Sequence, residues 1–366
     1  MQTGDTSAVP AYPETPDSGQ PPATRPVEPI VLRLAFTGTG SEYFRIWIVN
    51  TLLTIVTFGI YSAWAKVRTL QYFYRNTSLD GATFDYHGKP AAILKGRAIV
   101  FVLALAFQLA GKVSPMLAVV LALALAAVFP LLLVRSLRFR MANSSYRGLR
   151  FAFTGGDADA YKVFVLWPLL TVFTLGALAP LAHQRLKHYQ HNHTRFGTAP
   201  FAFDASAGSF YGVYLRTFAM TIVVVLVAVV GGIALGAGAG SGRGAAVLAG
   251  LFGTIGIYVA VLAVGPYFNA SLQNLVWNHT TLVPHGLRSE VNAGRLFYIF
   301  LTNMIGIALT LGLFLPFARV RSARYRVECM SLLARAPLDA FVAGQAESVG
   351  ALGDAAADWY DIDIAL

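Results

Sequence analysis

Seven apolar segments divide the chain between Ile46 and Ala318. They run over about Ile46–Ala63, Ala98–Gly111, Val113–Val134, Val163–Ala182, Thr217–Ala239, Ala245–Gly265 and Leu296–Ala318. Most reach the ~20 residues that a helix needs to cross ~30 Å of hydrocarbon. Ala98–Gly111 falls short, and Lys95, Arg97 and Lys112 would have to snorkel to extend it. Charged residues make up only 13% of the chain and apolar residues 56%, so there is too little charge to cover a water-facing surface. The expectation is an all-α polytopic membrane protein with about seven transmembrane helices. The single cysteine, Cys329, excludes an intrachain disulfide. A net charge of +10 would suggest nucleic acid in a soluble chain. In a membrane chain it points instead to basic loops against anionic phospholipid headgroups. No nucleic-acid partner is expected, and self-association is left open.

The polar connections repeat. Asn76-x-Ser78-x-x-Gly81-x-x-Phe84-x-Tyr86-x-Gly88 recurs as Asn143-x-Ser145-x-x-Gly148-x-x-Phe151-x-Phe153-x-Gly155. A variant follows at Asn192-x-Thr194-x-x-Gly197, and an echo at Asn278-x-Thr280. Thr57-Phe-Gly59, Thr174-Leu-Gly176 and Thr310-Leu-Gly312 recur inside the first, fourth and seventh segments. The simplest parsing gives a proline-rich, unfolded tail at 1–30 and three-segment membrane units at 31–148 and 149–282. A seventh helix at 283–326 starts a third copy, and an acidic tail occupies 327–366. The second and third segments form one helical hairpin, the fifth and sixth another. Alternation over Ala82–Gly88 and Leu149–Gly155 predicts short β-like hairpins in the interfacial loops.

A unit with three spans must alternate in direction, as the inverted repeats of many transporters do. Lys and Arg are denser after the first, third and seventh segments than after the fourth and sixth. The positive-inside rule then puts the N-terminus in the periplasm and the C-terminus in the cytoplasm. An alternative keeps every long loop cytoplasmic, with the first, fourth and seventh segments re-entering at Gly59, Gly176 and Gly312.

The stretch Phe36–Arg97, reading FTGTGSEYFRIWIVNTLLTIVTFGIYSAWAKVRTLQYFYRNTSLDGATFDYHGKPAAILKGR, resembles the YjgN-like family of bacterial inner-membrane proteins, a domain of unknown function. The resemblance extends more loosely to about Arg326. It implies a multi-pass protein of the bacterial inner membrane. It brings no substrate, cofactor or catalytic residue.

Few residues stand out for chemistry. His183, His188, His191 and His193 lie within eleven residues and could hold a metal or sense pH, although interfacial polar residues explain them as simply. Asn50 and Asn303 sit inside apolar segments, where an amide needs a helix partner or lines a solute path. Arg68, Arg135, Arg185 and Arg321 follow segment ends and suit anionic headgroups. Gly232, Gly236, Gly240 and Gly244 have helix-packing spacing. No phosphate loop, nucleophile elbow, zinc motif or dinucleotide fingerprint is present, so neither an enzyme nor a cofactor is expected. The leading expectation is a transporter or sensor of a small solute or lipid. The alternative is a non-transporting scaffold that binds anionic lipid or partners through basic loops.

Overall fold

Two-residue turns organise the polar connections. Asp80-Gly81 and Arg147-Gly148 hold positive φ at both positions (48° and 74°, 47° and 82°). This is the turn geometry whose twist suits a tight antiparallel hairpin. Gly197-Thr198 and Val283-Pro284 make the corresponding turns further on. The computed structural model describes residues 29–238 and 242–347. The proline-rich residues 1–28, Gly240, and the acidic stretch with Asp354, Asp358, Asp361 and Asp363 lie outside the described residues.

The element order passes five times through strand, helical hairpin, strand. First come β1 (Ile30–Phe36), α1 (Gly40–Val56), α2 (Ser62–Arg75) and β2 (Thr77–Leu79). Next are β3 (Ala82–Tyr86), α3 (Pro90–Val113), α4 (Pro115–Ala142) and β4 (Ser144–Tyr146). The third passage is β5 (Leu149–Phe153), α5 (Asp157–Tyr161), a π-helical turn Lys162–Leu166, α6 (Trp167–Phe173), α7 (Ala179–Asn192) and β6 (Thr194–Phe196). The fourth is β7 (Ala199–Phe203), α8 (Ala207–Gly238), α9 (Arg243–Asn278) and β8 (Thr280–Leu282). The fifth is β9 (His285–Ser289), α10 (Ala293–Leu309), α11 (Leu315–Glu328) and β10 (Met330–Ala334). Residues 338–347 form a terminal helix.

Among the described residues ten antiparallel strands close into a barrel, with β1 paired to both β2 and β10. Closure leaves no open edge, which lets three-residue strands persist. Leu79, Tyr146, Phe196, Leu282 and Leu332, one from each even-numbered strand, converge inside the barrel. Leu338 and Val342 of the terminal helix complete that core from the turn-side rim. At the other rim Phe36, Tyr86, Phe153 and Phe203 end the first four odd-numbered strands and are buried. Gly88 and Gly155 let the chain fold tightly past these rings, since a Cβ there would lie 2.5 Å from Tyr86 or Phe153.

The chain is therefore not an all-α bundle of seven spanning helices. Three residues are too few to show a strand period, so the hairpins were legible but the closed barrel was not. Four helices among the described residues are long and apolar enough to cross a membrane: α3, α4, α8 and the stretch Ala246–Asn278 of α9. The first, fourth and seventh apolar segments instead reverse midway. Phe58-Gly59, Leu175-Gly176 and Leu311-Gly312 all have positive φ, and a right-handed helix cannot continue through two such residues. The chain turns back at the three glycines of the alternative reading.

Every helical hairpin leaves from the end of an odd-numbered strand and returns to the start of the next even-numbered one, so all five emerge from one rim. In this arrangement all five hairpins point the same way from the barrel. The arrangement also puts Ile30 beside Ala334, with both ends of the barrel chain on the turn-side rim. In the α8–α9 pair, Gly232 packs on Ala249 and Phe252, and Gly256 on Ala228. Of the glycine run, Gly232 and Gly236 are buried, while Gly244 faces open space.

Candidate functional site

Where the five returning helices meet the barrel mouth they enclose a cavity of about 680 Å³. Each helix hands over to its strand through one residue. At that junction Asn76 and Asn143 donate from Nδ2 to the carbonyls of Tyr72 and Phe139, and His193 and His279 pair through Nδ1 with those of Tyr189 and Leu275. The next residue bonds back too: Thr77, Ser144, Thr194 and Thr280 donate to Phe73, Arg140, Gln190 and Val276. These caps fix the rotation of the first four returning helices. They turn Tyr74, Met141, His191 and Trp277 onto the cavity wall, where Val327 of the fifth hairpin joins them. Leu34, Phe84, Phe151 and Phe201 make the floor.

The charged lining is one-sided. Arg140 and Lys187 reach the cavity, and among the described residues no carboxylate lines it and neither cation is in an ion pair. Burial lowers the Lys187 pKa. His191 packs edge-on against Trp277 (5.4 Å between centroids) and alongside Phe203. Burial, with the charge of Lys187 second, pushes its pKa down to about 4. The wall thus offers cationic donors, the neutral imidazole and the Gln190 amide within an apolar and aromatic enclosure. That arrangement suits an anionic group carried on an apolar body.

The histidines of the sequence cluster part company. His183 pairs through Nδ1 with the Tyr214 hydroxyl (2.9 Å), His188 with the Asn192 amide (2.9 Å), and His193 caps α7; only His191 faces the cavity. Among the described residues no three His, Cys, Asp or Glu side chains group to hold a metal ion. Asn303 donates to the Ala318 carbonyl and Ser322 hydroxyl, tying α10 to α11. Asn50 is buried on α1 with no hydrogen-bond partner for either side-chain atom. Arg68, Arg185 and Arg321 lie over Tyr61, Trp167 and Tyr298 of their own hairpins at 5.7, 5.8 and 5.5 Å. Arg135 is exposed on α4.

Sequence reasoning missed Arg140, Lys187, Tyr74 and Trp277. A signal existed: the wall residue stands two positions before the junction residue. The reading aligned Asn192 with Asn76, but β6 starts at Thr194 as β2 starts at Thr77. His193 therefore holds the junction, and His191 the wall. Asn192 instead accepts from the backbone N–H of Phe203, as Asn278 does from Ser289.

A ten-strand barrel carrying long apolar hairpins on one rim defines a multi-pass membrane protein. The chain belongs to the family described as bacterial protein of unknown function (DUF898), whose model matches residues 31–359. It is similar to the inner membrane protein YjgN of Salmonella typhimurium, 32% identical over 143 residues, and to that of Escherichia coli O157:H7, 33% identical over 146. Each match covers 39% of this chain and 36% of the relative. No solved structure matches. With these relatives and four helices of spanning length, the protein is a multi-pass protein of the bacterial inner membrane.

Proposed function

We propose that this protein binds an anionic solute or lipid headgroup in the cavity at the barrel mouth, as a transporter or sensor of that ligand. One observation carries the reading: Arg140 and Lys187 face an apolar and aromatic enclosure that no carboxylate lines among the described residues. A half-buried ammonium without a counter-ion is costly, and a bound anion relieves that cost. The same reading treats the five strand–hairpin–strand passages as copies of one ancestral segment. The recurring junction caps support it, and so do the two-residue turns.

The test is binding to purified protein. Native mass spectrometry with phosphatidylglycerol and calorimetry with inorganic phosphate separate a lipid from a free anion. Arg140→Gln with Lys187→Gln is expected to weaken whichever binds by at least about tenfold, one charge-assisted contact being worth roughly 1.5–3 kcal/mol. Equal binding by the double variant, or no binding of either probe to the parent protein, overturns the reading.

A further inference from the structure

We propose that the three short hairpins, α1–α2, α5–α7 and α10–α11, insert into one and the same leaflet of the bilayer, so that only α3–α4 and α8–α9 cross it. The partner is the acyl-chain layer of that leaflet. The argument does not rest on the cavity.

The tips are built for a medium without water. Phe58, Leu175 and Leu311 are 99%, 97% and 96% exposed, and each sits in a Thr-Φ-Gly turn. An apolar side chain thrust into water at every tip would be a liability. Inside lipid it is favourable, provided that the backbone around it is satisfied. It is satisfied, in the same way three times. Thr57, Thr174 and Thr310 donate from Oγ1 to the carbonyls of Leu53, Leu170 and Gly306. The same oxygens accept from the backbone N–H of Tyr61, Leu178 and Phe314. The N–H groups of Gly59, Gly176 and Gly312 reach back to Thr54, Thr171 and Ile307 at 2.7–2.8 Å.

The depth follows from the first cation on each return arm. Lys66, Arg185 and Arg319 stand a short way past the turning glycines. At the helical rise this is roughly 10–14 Å, close to half of a ~30 Å hydrocarbon core. A full crossing would drag these cations to mid-membrane, where a charge is expensive. One turn or less beyond, Arg68, Arg185 and Arg321 rest over aromatic rings, the pairing that suits the headgroup level. The long hairpins contrast with this. Their 24- to 36-residue arms extend roughly 36–54 Å, enough to cross. Since all five hairpins leave one rim, the three tips share a leaflet.

The experiment uses the full chain with Cys329→Ser. Single cysteines replace Phe58, Leu175 and Leu311 at the tips, and Ser114 at the turn between α3 and α4. A membrane-impermeant thiol reagent is applied to intact and to permeabilised cells. Ser114→Cys is expected to label in intact cells, and the tip variants in neither preparation. In vesicles, a bimane on each tip cysteine is expected to be quenched most by lipids brominated near the chain ends. Tip labelling in intact cells means full crossing, and tip labelling only after permeabilisation means no insertion; either overturns the proposal. Should a tip variant not accumulate, Ile60→Cys, Ala177→Cys and Leu313→Cys carry the same test.

Discussion

Thr280 accepts a hydrogen bond from Nδ1 of His191 at 3.2 Å, because its own hydroxyl proton goes to the Val276 carbonyl at 2.7 Å. A hydroxyl has one proton, so the imidazole must be the donor, and Nε2 keeps its lone pair. Thr280 is fully buried. Thr280→Val keeps the volume but leaves Nδ1–H unpaired. The expected cost is about 1–3 kcal/mol, read as a lowered unfolding midpoint in detergent. With its pKa near 4, His191 should also stay neutral between pH 5 and 8 in a nitrogen-15 titration. A midpoint near the ordinary histidine value would contradict its placement between Trp277 and Phe203.

If the cavity binds an anion as proposed, Lys187 should set the pH dependence of that binding. Burial lowers its pKa in the empty cavity, and a bound anion favours the charged form and raises it again. Binding therefore takes up a proton at pH values between the depressed and restored pKa. Affinity should be constant below that window and fall as pH rises through it. Lys187→Arg should remove the alkaline fall, because guanidinium keeps its charge. An affinity for phosphatidylglycerol that held level up to the ordinary lysine pKa in the parent protein would sink this assignment.

The sequence made the membrane legible through the length of α3, α4, α8 and α9. It also made the hairpins legible, through the alternation over Ala82–Gly88 and Leu149–Gly155 beside the recurring Gly81 and Gly148. The barrel was not legible. Ser144–Tyr146 or Thr280–Leu282 shows no period, and pairing between Ile30 and Ala334 joins residues at opposite ends of the chain. Span number was misread because hydrophobicity does not register direction. Val163–Ala182 is apolar throughout, yet Leu175-Gly176 folds it in half. The site was hidden for a third reason. His191 was visible as one histidine among four, whereas Arg140 and Lys187 look like ordinary basic residues until closure brings α4 and α7 to one axis.

The tip glycines should be costly to replace although space is open around them. No atom lies within 4 Å of a Cβ built on Gly59, Gly176 or Gly312, and their φ angles are 90°, 89° and 96°. The penalty of Gly→Ala is then conformational alone, about 1–2 kcal/mol at each site. Three similar shifts in unfolding midpoint are expected. A neutral Gly176→Ala would mean that the reversal is not imposed by the backbone.

The α8–α9 pair should respond to the opposite cause. A Cβ on Gly256 would lie 2.1 Å from that of Ala228, whereas Gly250 on the same helix meets nothing. Gly256→Val should force the helices apart and cost about 1–3 kcal/mol. Gly250→Val should change stability by under about 0.5 kcal/mol, as surface substitutions do. Equal effects at the two positions would show that α8 and α9 do not pack through Gly256.

The terminal helix should act as a structural stopper of the turn-side rim. Gln345 Oε1 accepts from the N–H and hydroxyl of Thr198 at 2.8 and 2.6 Å and from the N–H of Ala199 at 2.8 Å. Phe341 stands edge-on to the buried His285 ring at 4.5 Å, and Arg147 pairs with Asp339. The oxygen of Gln345 accepts all three of these bonds, so chemistry rather than size should decide the outcome. Gln345→Ala should cost about 1–3 kcal/mol, because it strands backbone donors beside a buried residue. Gln345→Glu keeps an acceptor in place and should cost less, while Gln345→Lys presents a donor to donors and should cost at least as much as alanine. Phe341→Ala should remove about 2–3 kcal/mol of packing. Unfolding midpoints that ranked glutamate no better than alanine would mean that the helix is held by its apolar face alone.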